Sequence, residues 1–146
     1  MKTRDEIINE WVSDSSVDPE KANDELLRIP ALHAKYTRYL SDYRMELKKL
    51  NLKIDRVKRE KHEYYSGKTP QEKLKADGKK PFKAILNAGV MNMYIDSDDE
   101  MQELYAKRAY YDEVVEFCKD IIKEIGNRTW QLREFLTHER YMNGAR

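Results

Sequence analysis

From Tyr36 onward, Tyr36, Leu40, Tyr43, Leu47, Leu50, Ile54, Val57, Lys61 and Tyr64 follow one another at spacings that alternate between four and three. One such residue about every 3.5 positions keeps a single edge of an α-helix against a partner, and the pattern lasts for about four heptads. Ser66-Gly67 is the expected stop, because glycine readily takes the left-handed backbone that closes a helix. A second seam runs through Met101, Leu104, Arg108, Tyr111, Val115, Cys118, Ile122, Ile125, Thr129, Leu132 and Leu136. Val114, Phe117, Ile121 and Phe135 widen it beyond what one partner helix covers, so it fits an intramolecular contact and a subunit contact alike. The predicted fold class is all-α, with long heptad-patterned helices.

The remaining elements are read from caps and breakers. Asp5 to Val12 is an acidic amphipathic start, and Asp18-Pro19 supplies a cap followed by a proline suited to a first helical turn. The short helix that follows is expected to end at Ile29, before Pro30. Ser97-Asp98-Asp99-Glu100 reads as a capping box for the second long helix. Gly126-Asn127 either ends or kinks that helix, and helical spacing resumes from Arg128 to Tyr141. The uncharged stretch AILNAGVMNMYI is expected to be a buried connector, whether extended or not being left open, with an exposed partner-binding patch as the alternative.

The 38 % of charged residues are strongly segregated although the net charge is only +1. Residues 1–30 hold four basic against eight acidic side chains, residues 53–83 eleven against five, and residues 94–125 four against ten. Such blocks describe either ordinary solvated helix faces or a bipolar molecule that meets an anionic polymer with one face and proteins with another. In the basic block, Lys58, Arg59, Lys61 and His62 cluster on the last turns of the first long helix. Tyr64 and Tyr65 follow, and then a connector with Lys68, Lys73, Lys75, Lys79, Lys80 and Lys83. Cations beside stackable rings suit single-stranded nucleic acid: charges track the backbone while rings take bases without reading sequence. Tyr65 is the ring expected to be available, since Tyr64 falls on the seam. Lys61, a cation at a seam position, reads as a phosphate contact, as the fraying end of the seam or as a register-setting residue.

Other function classes lack their residues. Gly67-Lys68-Thr69 copies the end of a nucleotide-binding P-loop, but His62 stands where the earlier glycine belongs, a helical run precedes and Pro70 follows. His33, His62 and His138 have no metal-ligand spacing, and no serine lies in a nucleophile elbow. No cofactor is expected, and no enzyme. The lone Cys118 excludes an internal disulfide and reads as a small buried hydrophobe; with no signal peptide or membrane anchor seen, the expected setting is the cytoplasm.

The stretches IPALHAKYTRYLSDYRMELKKLNLKIDRVKREKHEYYSGK, KPFKAILNAGVMNMYIDSD and GNRTWQLREFLTHERYMNGAR resemble the UvsY family of recombination mediators from T4-like phages. The resemblance spans residues 29–146 and is most specific at Tyr64-Tyr65-Ser66-Gly67 and at residues 127–144. It implies a non-enzymatic, single-stranded-DNA-binding protein that helps displace a single-stranded-DNA-binding protein and loads a RecA-like recombinase, in the cytoplasm of a host cell. It also implies a ring-like homo-oligomer, hexamer or heptamer, built through C-terminal helices. The candidates for that contact are Val115, Cys118, Ile122, Ile125, Trp130, Leu132, Phe135 and Leu136. A basic pair ahead of Tyr-Tyr-Ser-Gly is implicated in DNA binding in the family, and the matching positions are Arg59 and Lys61. Here Lys58-Arg59-Glu60-Lys61 replaces the usual Leu-Lys-Ala-Arg, keeping the charges and inserting Glu60. The expected plan is one domain: acidic helices over 1–30, a DNA-binding helix and connector over 31–83, and oligomerisation helices over 97–146. A structural coiled-coil assembly protein without nucleic-acid binding is the alternative.

Overall fold

Each heptad seam lies on one unbroken helix of 44 residues. The computed structural model describes residues 1–144. Its elements are α1 (Arg4–Asp14), a 3-10 turn (Pro19–Lys21), α2 (Ala22–Tyr65), α3 (Gln71–Ala76), α4 (Ala88–Asp96) and α5 (Asp99–Met142). The fold is all-α, with no strand among the described residues. Residues 145 and 146, the end of the stretch expected to take part in assembly, lie outside the described residues. No helix among the described residues is long and apolar enough to cross a membrane.

Local chemistry sets the helix starts. The Thr3 hydroxyl accepts from the Glu6 amide at 3.2 Å and the Glu6 carboxylate accepts from the Thr3 amide at 2.7 Å, a reciprocal cap on α1 that sequence reading missed. Asp18 accepts from the Glu20 amide at 3.0 Å beside Pro19, as expected. The cap of α5, however, is Asp98: its carboxylate accepts from the amides of Glu100 and Met101 at 3.0 and 3.3 Å. The Ser97 hydroxyl is turned the other way, donating to the Met93 carbonyl at 2.7 Å in the last turn of α4.

Neither the helix end expected at Pro30 nor the one considered at Gly126-Asn127 occurs. α2 passes through Pro30, where loss of an amide donor and a ring clash ordinarily cost about 3 kcal/mol. Buried Ala22 and Leu32 on either side, together with an Arg28–Asp14 ion pair of 2.8 Å, hold both flanks in place. α5 passes Gly126-Asn127 with Ile125 and Arg128 buried on either side. The uncharged stretch is helical over most of its length and is not fully buried. Most of it forms α4, capped by Asn87 accepting from the Val90 amide at 2.9 Å. Only one face is covered, through Met91 and Ile95, while Ile85 and Met93 are exposed.

The described residues pack as two units, and α2 and α5 each contribute to both. In the unit formed by Met1–Met45 with the chain from Asp112 onward, Ile7, Leu32, Tyr36, Leu40 and Tyr43 are buried together with Val114, Val115, Cys118, Ile121, Ile125 and Leu132. Each such large apolar side chain contributes roughly 1.5–3 kcal/mol on burial. Asp14 is the polar centre of this unit. Its carboxylate accepts from Arg28 at 2.8 Å, Lys35 at 2.7 Å and the Tyr36 hydroxyl at 2.8 Å. Burial opposes its charge, yet the Lys35 and Tyr36 hydrogen bonds hold the carboxyl below the usual range. Arg128 closes the end of α1, donating to the carbonyls of Asp14 and Ser15 at 3.0 and 3.2 Å with its guanidinium 5.6 Å from the Trp11 ring centre. In the unit Glu46–Tyr111, the core is Leu50, Ile54, Val57, Leu74, Met91, Ile95, Met101, Leu104 and Tyr111.

Of the eight residues expected at a subunit contact, four, Val115, Cys118, Ile125 and Leu132, are buried by the chain's own helices. Burial pushes the Cys118 thiol up to about 11, in keeping with a packed, unreactive side chain. Of the remaining candidates Ile122, Phe135 and Leu136 are half-buried and Trp130 is 66 % exposed.

Candidate nucleic-acid interface

The basic block belongs to the unit Glu46–Tyr111, and its layout follows from how α2 stops. Gly67 takes φ +76°. The Lys68 amide donates to the Glu63 carbonyl at 2.9 Å and the Gly67 amide to the Tyr64 carbonyl at 3.0 Å, the paired bonds of a Schellman end. The amides a phosphate cradle would need are thereby committed to closing the helix, and Pro70, which has no amide hydrogen, leads into six-residue α3. Gly67-Lys68-Thr69 is a helix stop. A second end of the same kind follows α3, where Gly78 has φ +65° and the Lys79 amide donates to the Leu74 carbonyl at 2.9 Å. Buried Leu74 anchors this connector.

The ten expected DNA-binding residues divide by environment. Lys58, Arg59, Lys68, Lys75, Lys80 and Lys83 are exposed. Lys73 is half-buried, its ammonium 3.9 Å from Glu60. Lys79 stands 5.3 Å over the Tyr64 ring and faces Lys61, whose ammonium holds that of Lys79 below the usual range, with burial adding to the effect.

Lys61 departs from the expectation. It is 6 % exposed, and its ammonium lies 3.3 Å from Asp98 and 3.0 Å from Glu100. A cation at a seam position is thus neutralised by two carboxylates at the start of α5. Burial works against its charge, but the Glu100 and Asp98 contacts prevail and raise it above the usual lysine range. Asp98 receives four groups: the two amides it caps, Lys61, and the Tyr65 hydroxyl at 2.7 Å. These hold its carboxyl below the usual range against burial.

Tyr65 is likewise engaged. Burial and the bond to Asp98 push its hydroxyl up to about 12. Its ring lies 5.1, 5.0 and 5.6 Å from those of Tyr64, Phe82 and Tyr94, and the Tyr64 hydroxyl donates to the Lys80 carbonyl at 3.0 Å. The expected free ring is one member of a four-ring cluster, whose other members fasten the connector to the end of α2. Sequence reading missed Asp98, Glu100, Phe82 and Tyr94. One signal could have found the carboxylates: a lysine in an apolar seam requires an acidic partner on the facing element, and the second seam opens with four acidic residues among Asp96, Asp98, Asp99 and Glu100. No group of side chains that could hold a metal ion occurs among the described residues.

Over residues 10–145 the chain matches the family described as recombination, repair and ssDNA binding protein UvsY. The chain belongs to the UvsY family. Its fold is similar to that of the recombination mediator protein UvsY of bacteriophage T4 in two crystal structures. With lattice type II the TM-score is 0.86 at 15 % identity, covering 98 % of this chain and 99 % of that one. With lattice type IV it is 0.84 at 18 % identity, covering 97 % and 99 %. A comparison with curated proteins finds no match. Identity this low carries the fold alone, so in this UvsY-family chain the interface rests on its own residues.

Proposed function

We propose that the chain binds single-stranded DNA and acts as a recombination mediator, promoting loading of a RecA-like recombinase onto DNA covered by single-stranded-DNA-binding protein. The observation that carries the DNA-binding step is the set Lys58, Arg59, Lys68, Lys75, Lys80 and Lys83: exposed cations with no acidic side chain within ion-pair distance among the described residues. Charges left open in a chain that pairs Lys61, Lys35 and Arg28 internally suit a phosphate backbone, which releases counterions on binding. In this reading Lys58 and Arg59 lead the contact, and the connector lysines extend it.

The assembly is a homo-oligomeric ring, a hexamer or heptamer, joined by the outward part of α5 at Ile122, Trp130, Phe135 and Leu136. A ring of individually weak sites holds one strand through avidity. The working compartment is the cytoplasm of a host cell. The alternative, a structural coiled-coil protein without nucleic-acid affinity, accounts for both seams but gives the unpaired cations no role.

The test loads a RecA-like recombinase on single strands already covered by single-stranded-DNA-binding protein, with recombinase ATP hydrolysis as the readout. Addition of this chain should shorten the lag. Intact DNA binding with an unchanged lag would remove the mediator role; absence of binding would favour the coiled-coil alternative.

A further inference from the structure

The inference rests on the single-stranded-DNA reading above and concerns how its site is held in the free chain. Lys61 and Lys79 line one cleft, and the Lys61 ammonium holds that of Lys79 below the usual range, an arrangement that favours an anion beside the two. Two carboxylates supply it, and they differ in how firmly they are fixed. The Asp98 side chain is 12 % exposed and is held by two backbone amides and the Tyr65 hydroxyl. The Glu100 side chain is 53 % exposed, and its ion pair with Lys61 at 3.0 Å is its side-chain tie. Lys61, Lys79 and Glu100 line one cleft of about 380 Å³ together with Lys73, Thr69 and two further carboxylates, Glu60, which lies 3.9 Å from the Lys73 ammonium, and Asp77. The Thr69 hydroxyl in that cleft is buried and has no hydrogen-bond partner.

We propose that Glu100 occupies, in the free chain, the place of a DNA phosphate at the Lys61–Lys79 pair, and that strand binding exchanges the Glu100 carboxylate for phosphate oxygens. Asp98 stays in place as the positioning residue, holding Lys61 and the start of α5. The exchange preserves charge balance at the pair: one anion leaves as another arrives. Thr69 gains an acceptor, and Lys73 sits at the edge to reach the next phosphate. Lys61, buried and neutralised in the free chain, thereby becomes part of the interface only when DNA is present.

The experiment is fluorescence titration of labelled oligothymidylate with full-length protein across a salt series, comparing Glu100→Gln, Glu100→Asp, Glu103→Gln and Lys79→Gln with wild type. Glu103 is an exposed acidic residue one turn further along α5 and controls for net charge. Exchange predicts that Glu100→Gln tightens binding by up to about fivefold per engaged subunit, the scale of one partly exposed ion pair, with the salt slope unchanged because the final contacts are the same. Glu100→Asp, equal in charge but one methylene shorter and so a weaker partner for Lys61 than the 3.0 Å contact of Glu100, should tighten it as well, though by less. Lys79→Gln should weaken binding and flatten the slope by about 0.7 per engaged subunit. Glu100→Gln behaving as Glu103→Gln would make Glu100 an ordinary surface charge and overturn the exchange. A steeper slope in Glu100→Gln would mean that the seat stays closed in wild type, which also overturns it. Failure of wild type itself to bind would overturn the DNA reading and the exchange with it.

Discussion

Removing Lys58 and Arg59 together isolates the phosphate contact from the fold. Both side chains are exposed on the last turns of α2, and neither pairs with a carboxylate among the described residues. Their replacement by alanine should therefore change stability by no more than about 0.5 kcal/mol each. If each contacts one phosphate, the double variant loses two contacts per engaged subunit. The plot of log affinity against log salt then flattens by about 1.4 per subunit, at about 0.7 per single-strand phosphate. Between 50 and 200 mM salt, the gap between wild type and variant should narrow by about sevenfold per engaged subunit on the same scale. The assay is fluorescence titration of a labelled oligonucleotide at several salt concentrations, with assembly mass followed by light scattering so that dissociation is not mistaken for lost contacts. A variant of unchanged mass, affinity and slope would remove this pair from the interface and leave the connector lysines to carry it.

Lys61→Ala should in addition lower stability by roughly 1–3 kcal/mol, because it leaves the Asp98 carboxylate without its cation; thermal unfolding beside Arg59→Ala checks this. Trp130→Ser, at a 66 % exposed position, should reduce assembly mass in sedimentation while leaving the unfolding temperature in place. The Glu10 carboxyl is held at about 2 by hydrogen bonds from Lys2 and Tyr39, against burial. A carboxyl depressed by folding stabilises fully above its unfolded value of 4.5 and loses that contribution as pH falls toward 2. Over that window wild type should lose more thermal stability than Glu10→Gln.

Periodicity made the two long helices legible because burial enforces it: seam residues from Tyr36 to Val57 are buried, Leu47 alone being half-covered. Breakers were a poorer guide. Pro30 and Gly126 are local preferences worth a few kcal/mol at most, and buried neighbours on both flanks outweigh them. Ser97 and Asp98 are both good caps, and only the course of the last turn of α4 decides which amides each can reach. For the site, charge along the chain located the basic block but could not separate Lys58 and Arg59 from Lys61. That distinction depends on which face of α2 meets α5, and hence on Asp98 and Glu100 37 to 39 positions further along. Tyr65 is similar: a ring beside cations reads as a stacking platform until Phe82 and Tyr94 are found against it. The breadth of the α5 stripe left intramolecular and subunit contacts open together; Val115 and Cys118 lie inside the chain's own core, whereas Trp130 is exposed.

The most direct measurement of single-stranded-DNA binding through exposed cations is the salt dependence of wild-type affinity for oligonucleotides of different sequence. Log affinity should fall linearly with log salt, by about 0.7 for each phosphate engaged, and with the same slope for oligothymidylate and a mixed sequence. Binding that is absent at low salt, or whose strength does not change with salt, would contradict the account.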